Sequence, residues 1–144
     1  MRFIITFLII FYFNSCLAQE ELNGYWKGKI TQEDGGYIPE YTFELFIIQK
    51  GDSLSGRSYV YVDSIYAEMN VKGKVHSGIF LELKDEIILD HEELQGMEWC
   101  IKKYQLMLKK KDNTFHLEGH WQGETSFSSC IPGKIFLQKK VPRA

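Results

Sequence analysis

The residues best suited to chemistry in this 144-residue chain are few and scattered. His91-Glu92-Glu93 has the composition of a metal site. It lacks a second histidine at the helical spacing by which one face presents two imidazoles to zinc, so a solvated loop is expected there. His116 and His120 share one face of an extended segment, but four residues of strand separate them by about 13 Å, too far for one ion. Ser126, Ser128 and Ser129 cluster without the Gly-x-Ser-x-Gly turn that exposes a nucleophilic serine. Asp34, Glu40 and Glu44 have no spacing that pairs carboxylates by itself. No glycine-rich phosphate loop precedes a helix, because no stretch carries helical periodicity. The chain therefore reads as non-enzymatic, with no metal and no cofactor.

The cysteines are more informative. Residues Met1 to Ala18 have the form of a signal peptide. Arg2 supplies the charge, Phe3 to Phe13 is apolar except for Thr6, and Cys16-Leu17-Ala18 resembles a cleavage site ahead of Gln19. The apolar run is shorter than the roughly 20 residues of a membrane span. An alternative processing takes Phe13-Asn14-Ser15-Cys16 as a lipobox, which lipidates Cys16 and is the one route to a membrane. Either way the protein is expected to be exported, to a periplasm or the medium. Two cysteines then remain, Cys100 and Cys130. In an oxidising compartment such a pair forms a disulfide, whose role here is structural because neither lies in Cys-x-x-Cys.

Residues 19–144 are long enough for one domain. Without Arg2 the formal charge moves from −2 to about −3, which argues against a nucleic-acid partner. Lys109-Lys110-Lys111 runs into Asp112-Asn113 and reads as a solvated hairpin tip.

The elements that must carry these residues are strands. Alternate positions are apolar in Tyr41–Gln49, with Tyr41, Phe43, Leu45 and Ile47 on one face, and again at Ala67, Met69, Val71, Gly73 and Val75. Leu54, Gly56, Ser58, Val60 and Val62 share a less purely apolar face. Ile79, Leu81 and Leu83 alternate next, and Ile87-Ile88-Leu89 reads as a separate short strand before a polar loop from Asp90 to Glu98. Cys100, Tyr104, Leu106 and Leu108 mark a long late strand. Phe115–Gln122 and Gly133–Lys140 follow, the latter with Ile135 and Leu137 inward. Glycine and Asx turns separate the runs. The expected fold is all-β: a single antiparallel up-and-down barrel of about eight to nine strands, closed so that no edge is left exposed.

Leu22-Asn23-Gly24-Tyr25-Trp26-Lys27-Gly28 and Leu117-Glu118-Gly119-His120-Trp121-Gln122-Gly123 both read Leu-x-Gly-x-Trp-x-Gly. The glycines make room for a bend and the indole fills the space, so Gly24, Trp26, Gly119 and Trp121 are the expected closure residues, on strands that meet where the barrel shuts. Gly24-Tyr25-Trp26 on the first strand of such a meander resembles the calycin superfamily of lipocalins, avidins and fatty-acid-binding proteins. The resemblance implies a tryptophan that closes one end with a basic side chain lying across it. Lys139, Lys140 and Arg143 are the candidates. The lipocalin Thr-Asp-Tyr turn is missing. Trp99-Cys100 and Cys130-Ile131-Pro132-Gly133 are similar to a pair found in small exported bacterial β-domains.

Two functions fit. In the first, the barrel binds a small, mostly apolar molecule at its open end through Phe43, Val60, Tyr61, Met69, Leu81 and Leu106. In the second, a filled barrel is an interaction module, an inhibitor or assembly partner. It meets a protein through a tyrosine-rich patch that includes Tyr59, Tyr61 and Tyr66, or through the 90–98 loop. The size of the interior cavity separates the two.

Overall fold

A strand that alternates apolar and polar residues must bury one face, and eight such strands in a row do so by curling into a tube. The computed structural model describes residues 21–92 and 96–141. The segment expected to be a signal peptide, with Cys16, and Glu93 and Arg143 lie outside the described residues. The strands are β1 (Gly24–Thr31), β2 (Glu40–Lys50), β3 (Ser53–Val62), β4 (Ile65–His76), β5 (Phe80–His91), β6 (Ile101–Lys111), β7 (Thr114–Glu124) and β8 (Gly133–Lys140). Each pairs antiparallel with the next, and β8 returns to β1, closing the barrel. The fold is the expected up-and-down barrel, with eight strands.

Tight turns join the strands at one end. At Asp112 and Asn113 both φ angles are positive, 50° and 63°, the backbone that a two-residue hairpin requires and that Asx residues tolerate. The longer connections, 32–39, 92–100 and 125–132, gather at the other end and form an open rim. The tight-turn end is sealed. Leu22 is buried there and its carbonyl accepts the Trp26 indole N–H at 3.0 Å. Lys139 lies over the Trp26 ring with Nζ 5.7 Å from the centroid, and that Nζ donates to the Glu21 carbonyl at 2.5 Å. Lys139 is thus the basic residue across the closing tryptophan; burial holds its pKa below the ordinary lysine value.

Sharp bending depends on missing side chains. A Cβ on Gly28 would stand 1.9 Å from the Phe136 carbonyl oxygen, and one on Gly119 would stand 1.8 Å from that of Gln105. The two Leu-x-Gly-x-Trp-x-Gly copies do not meet, however. They lie on β1 and β7, and β8, which buries Ile135 and Leu137, stands between them. The copies also serve opposite ends: Trp26 sits at the sealed end, whereas Trp121 reaches the rim and donates to the Thr31 carbonyl at 2.7 Å.

The stretch 79–91 differs from its expected division into two strands. It is one continuous strand, β5, whose pairing with β4 shifts twice, between Glu68 and Met69 and between Asn70 and Val71. The shifts leave Glu86 and Leu89 without partners on β4, and the inward face changes at each. Leu81, Leu83 and Asp85 are buried before the first, and Ile88 packs on the core between the two. Ile87 and Leu89 are left on the surface.

Cys100, just before β6, and Cys130, just before β8, form the expected disulfide with Cα atoms 6.4 Å apart. The bridge spans 30 positions and ties the rim across β7. Such bonds persist in oxidising compartments. Cys100→Ser is expected to remove about 3–4 kcal/mol of stability, the loop-closure value for this span, and to lower Tm by about 4 °C for each kcal/mol; a thermal melt checks it. Gly119→Ala is expected to cost about 1–3 kcal/mol by overpacking against the Gln105 carbonyl. An unchanged urea midpoint in that variant would show that the strands separate there without cost.

Candidate functional site

The distinctive chemistry lies where β5 and β6 part. Their ladder holds five pairs, from Phe80–Met107 to Lys84–Lys103, whereas the β6–β7 ladder runs the whole length of both strands. The next pair in register would be Asp85 with Lys102. Their side chains take over from the backbone. The Lys102 N–H donates to Asp85 Oδ2 at 3.0 Å, and Lys102 Nζ reaches the same oxygen at 2.8 Å. The other oxygen, Oδ1, accepts the Tyr104 hydroxyl and the Ser58 hydroxyl, the latter at 3.2 Å. Asp85 and Ser58 are wholly buried, and Lys102 and Tyr104 nearly so. Two charges removed from water are tolerated only when paired and hydrogen-bonded, and here the carboxylate has four donors. Lys102 Nζ also meets the Cys100 carbonyl at 3.2 Å and, more weakly, Met69 Sδ at 3.4 Å.

Below this layer the barrel is filled. Phe43 packs edge-on to Tyr104 with ring centroids 5.8 Å apart, and Leu45, Leu81, Leu106 and Trp26 occupy the space towards the sealed end. Above it, under the rim, is a cavity of about 380 Å³. Ile30, Val60, Lys102 and Trp121 line its base. Tyr41, Trp99, the Cys100–Cys130 pair and the loop residues Tyr37, Met97 and Phe127 line its sides and mouth. The loops are fastened rather than loose. The Trp99 indole donates to the Glu92 carbonyl at 2.8 Å. Glu98 accepts the Ser126 hydroxyl at 2.6 Å and the Ser126 N–H at 2.9 Å, which together hold its carboxyl below the ordinary pKa. The Tyr41 hydroxyl donates to Gln32 Oε1, and Gln32 Nε2 to the Ile131 carbonyl at 3.1 Å. Burial raises the Tyr41 pKa, so the group remains a neutral phenol.

Of the six residues expected to touch a ligand, Val60 lines this cavity. Phe43, Leu81 and Leu106 belong to the filled core, and Met69 lies beside Lys102. Tyr61 points outward, where its hydroxyl donates to Glu44 at 3.2 Å and its ring lies tilted against that of Tyr66, centroids 6.2 Å apart. Tyr59 and Tyr66 are likewise on the outside, bonded to Glu68 and Asp90. Burial, with Glu44 and Glu68 nearby, raises the pKa of Tyr59 and Tyr61. The tyrosine patch is therefore an outer-face ladder, and the aromatics around the cavity are Tyr37, Tyr41, Trp99, Trp121 and Phe127. Ser58, the polar position on the inward face of β3, is satisfied inside a filled layer.

The sequence reading missed Asp85 and Lys102. A signal was present: Lys102 falls on the inward parity of Cys100, Tyr104, Leu106 and Leu108, and Asp85 on that of Leu81 and Leu83. Among the described residues no group of three His, Cys, Asp or Glu side chains is placed to hold a metal ion. His116 and His120 lie on the outer face of β7. No protein-family model matches the chain, and no curated protein matches it in sequence. The closed eight-strand antiparallel barrel is compatible with a calycin-like architecture.

The buried pair makes a testable demand on stability. Asp85→Asn keeps the shape but leaves the Lys102 charge uncompensated, and is expected to cost about 3–5 kcal/mol. Asp85→Asn combined with Lys102→Met removes both charges and is expected to recover a large part of that loss. Urea denaturation of the two variants checks this; equal losses would take charge out of the explanation.

Proposed function

We propose that this is an exported, non-enzymatic barrel of calycin-like type that binds a small, mostly apolar molecule at its open end. The observation that carries the reading is the cavity of about 380 Å³ under the rim, walled by Trp99, Trp121 and Tyr41. Small-molecule sites begin at about 300 Å³ and combine apolar walls with a few fixed polar groups. At roughly the 30 Å³ that one water takes in the liquid, the space suits a ligand of about a dozen non-hydrogen atoms. The Trp26–Lys139 closure supports the calycin-like reading, and the disulfide supports export. The ligand would enter past the 32–39 and 125–132 loops and rest on Val60 and Lys102, with the lower barrel acting as a solid floor.

A second reading, an interaction module that meets a protein partner, draws on the outer face. Phe46 and Ile48 are exposed there beside Arg57 and Tyr59 along a shallow groove.

Trp99 and Trp121 provide the readout for the first reading. Titration of the purified mature protein with apolar probes of ten to twelve carbons is expected to change indole fluorescence. Val60→Phe, which fills the base of the cavity, is expected to weaken binding at least tenfold with little effect on Tm. A solvent extract free of lipid, together with no fluorescence response to any probe, would reject ligand binding and favour the interaction module.

A further inference from the structure

Resting on the pocket reading above, we propose that the ligand is neutral and carries a hydrogen-bond acceptor, a ketone, aldehyde or hydroxyl oxygen, that docks on Lys102, and that carboxylates are rejected. The charges around the cavity lead to this class. Among the described residues its lining includes two ionised side chains, Lys102 and Glu98. Lys102 is matched by Asp85 at 2.8 Å, and Glu98, held by two neutral Ser126 donors, keeps its negative charge. The floor is therefore a neutral ion pair. A carboxylate brought onto it would add a charge with no free counter-charge, away from water, which is the costly case. A neutral oxygen adds none.

The donor inventory at Lys102 points the same way. An ammonium has three N–H groups. One is held by Asp85 Oδ2 and one by the Cys100 carbonyl, whereas the third has the Met69 thioether at 3.4 Å, a weak acceptor. A ligand oxygen is a better partner for that third donor. Asp85 cannot play this part, because its two oxygens already accept four hydrogen bonds and it has no proton to offer. The site thus presents one exchangeable donor at the base of an aromatic well. That arrangement fixes the orientation of a ligand: oxygen down, hydrocarbon towards Trp99, Trp121 and the mouth.

The experiment compares 2-undecanone with decanoate, which have the same number of non-hydrogen atoms, on the wild-type mature protein at pH 7. The ketone is expected to bind at least tenfold more tightly. With a ¹³C label at the carbonyl, its stretching band in the complex is expected to fall below its position in an alkane solvent, reporting a hydrogen bond. In Asp85→Asn the floor becomes cationic, and the ketone-to-decanoate preference is expected to drop at least tenfold; should that variant not fold, the wild-type band position decides. A bound ketone with an alkane-like carbonyl band, or decanoate binding as tightly as the ketone, overturns this inference while leaving the pocket reading intact. Failure of both probes and of a dodecane-loaded micelle to perturb the indoles overturns the pocket reading and this inference with it.

Discussion

The separation of β5 from β6 after Lys84 is the constraint on which the upper half of the molecule depends. A sheet that stops pairing inside a closed barrel leaves backbone groups facing an apolar interior, where an unmet N–H is costly. Asp85 meets that cost by accepting the Lys102 N–H in place of a strand carbonyl. A buried carboxylate then needs a cation and further donors, which Lys102 Nζ, Tyr104 and Ser58 supply. Residues 96–100, in the connection between the two strands, line the cavity, with Lys102 at its base.

The two ends of the barrel are consequently built on different principles. The sealed end is packed with Trp26, Leu22 and Ile47, and its connections are short turns. The rim is held by discrete bonds: the disulfide, the Glu98–Ser126 contacts, the Trp99–Glu92 bond and the Gln32–Tyr41–Ile131 chain. Apolar packing fills space without direction, whereas directional bonds can hold loops apart. The rim can therefore be ordered and still surround an empty volume.

This division also governs how far the sequence could be read. Stripes such as Ala67, Met69, Val71 and Val75 point inward as their alternation requires, and the cysteine pair lies at the rim, where the strand count puts it. Ile87-Ile88-Leu89 looked like a strand of its own because two bulges interrupt the period, and period is the main signal available from sequence. Lys102 was passed over because a charge within an apolar stripe reads as a break in it. Only the register of β5 on β6 shows that Asp85 stands opposite. Phe43, Leu81 and Leu106, three of the six expected ligand residues, fill the lower core, since one-face alternation does not distinguish a wall around a cavity from a wall around packed side chains. The cavity itself is a product of loop placement above the rim, which alternation does not encode.

The seam between β1 and β8 sets the order in which the molecule can be completed. It joins residues from the two ends of the domain, as in the contact between Thr31 and Lys134, 103 positions apart. Until the final strand is available, β1 has β2 on one side and an open edge on the other, and edges of that kind invite pairing with other chains. Long-range closure of this sort is slow, because the entropy of a large loop is lost before the seam yields its contacts. A chain delivered from its N-terminus would carry that open edge until Lys140 has emerged. The interval before closure is thus the stage at which the protein most needs shielding from its own copies.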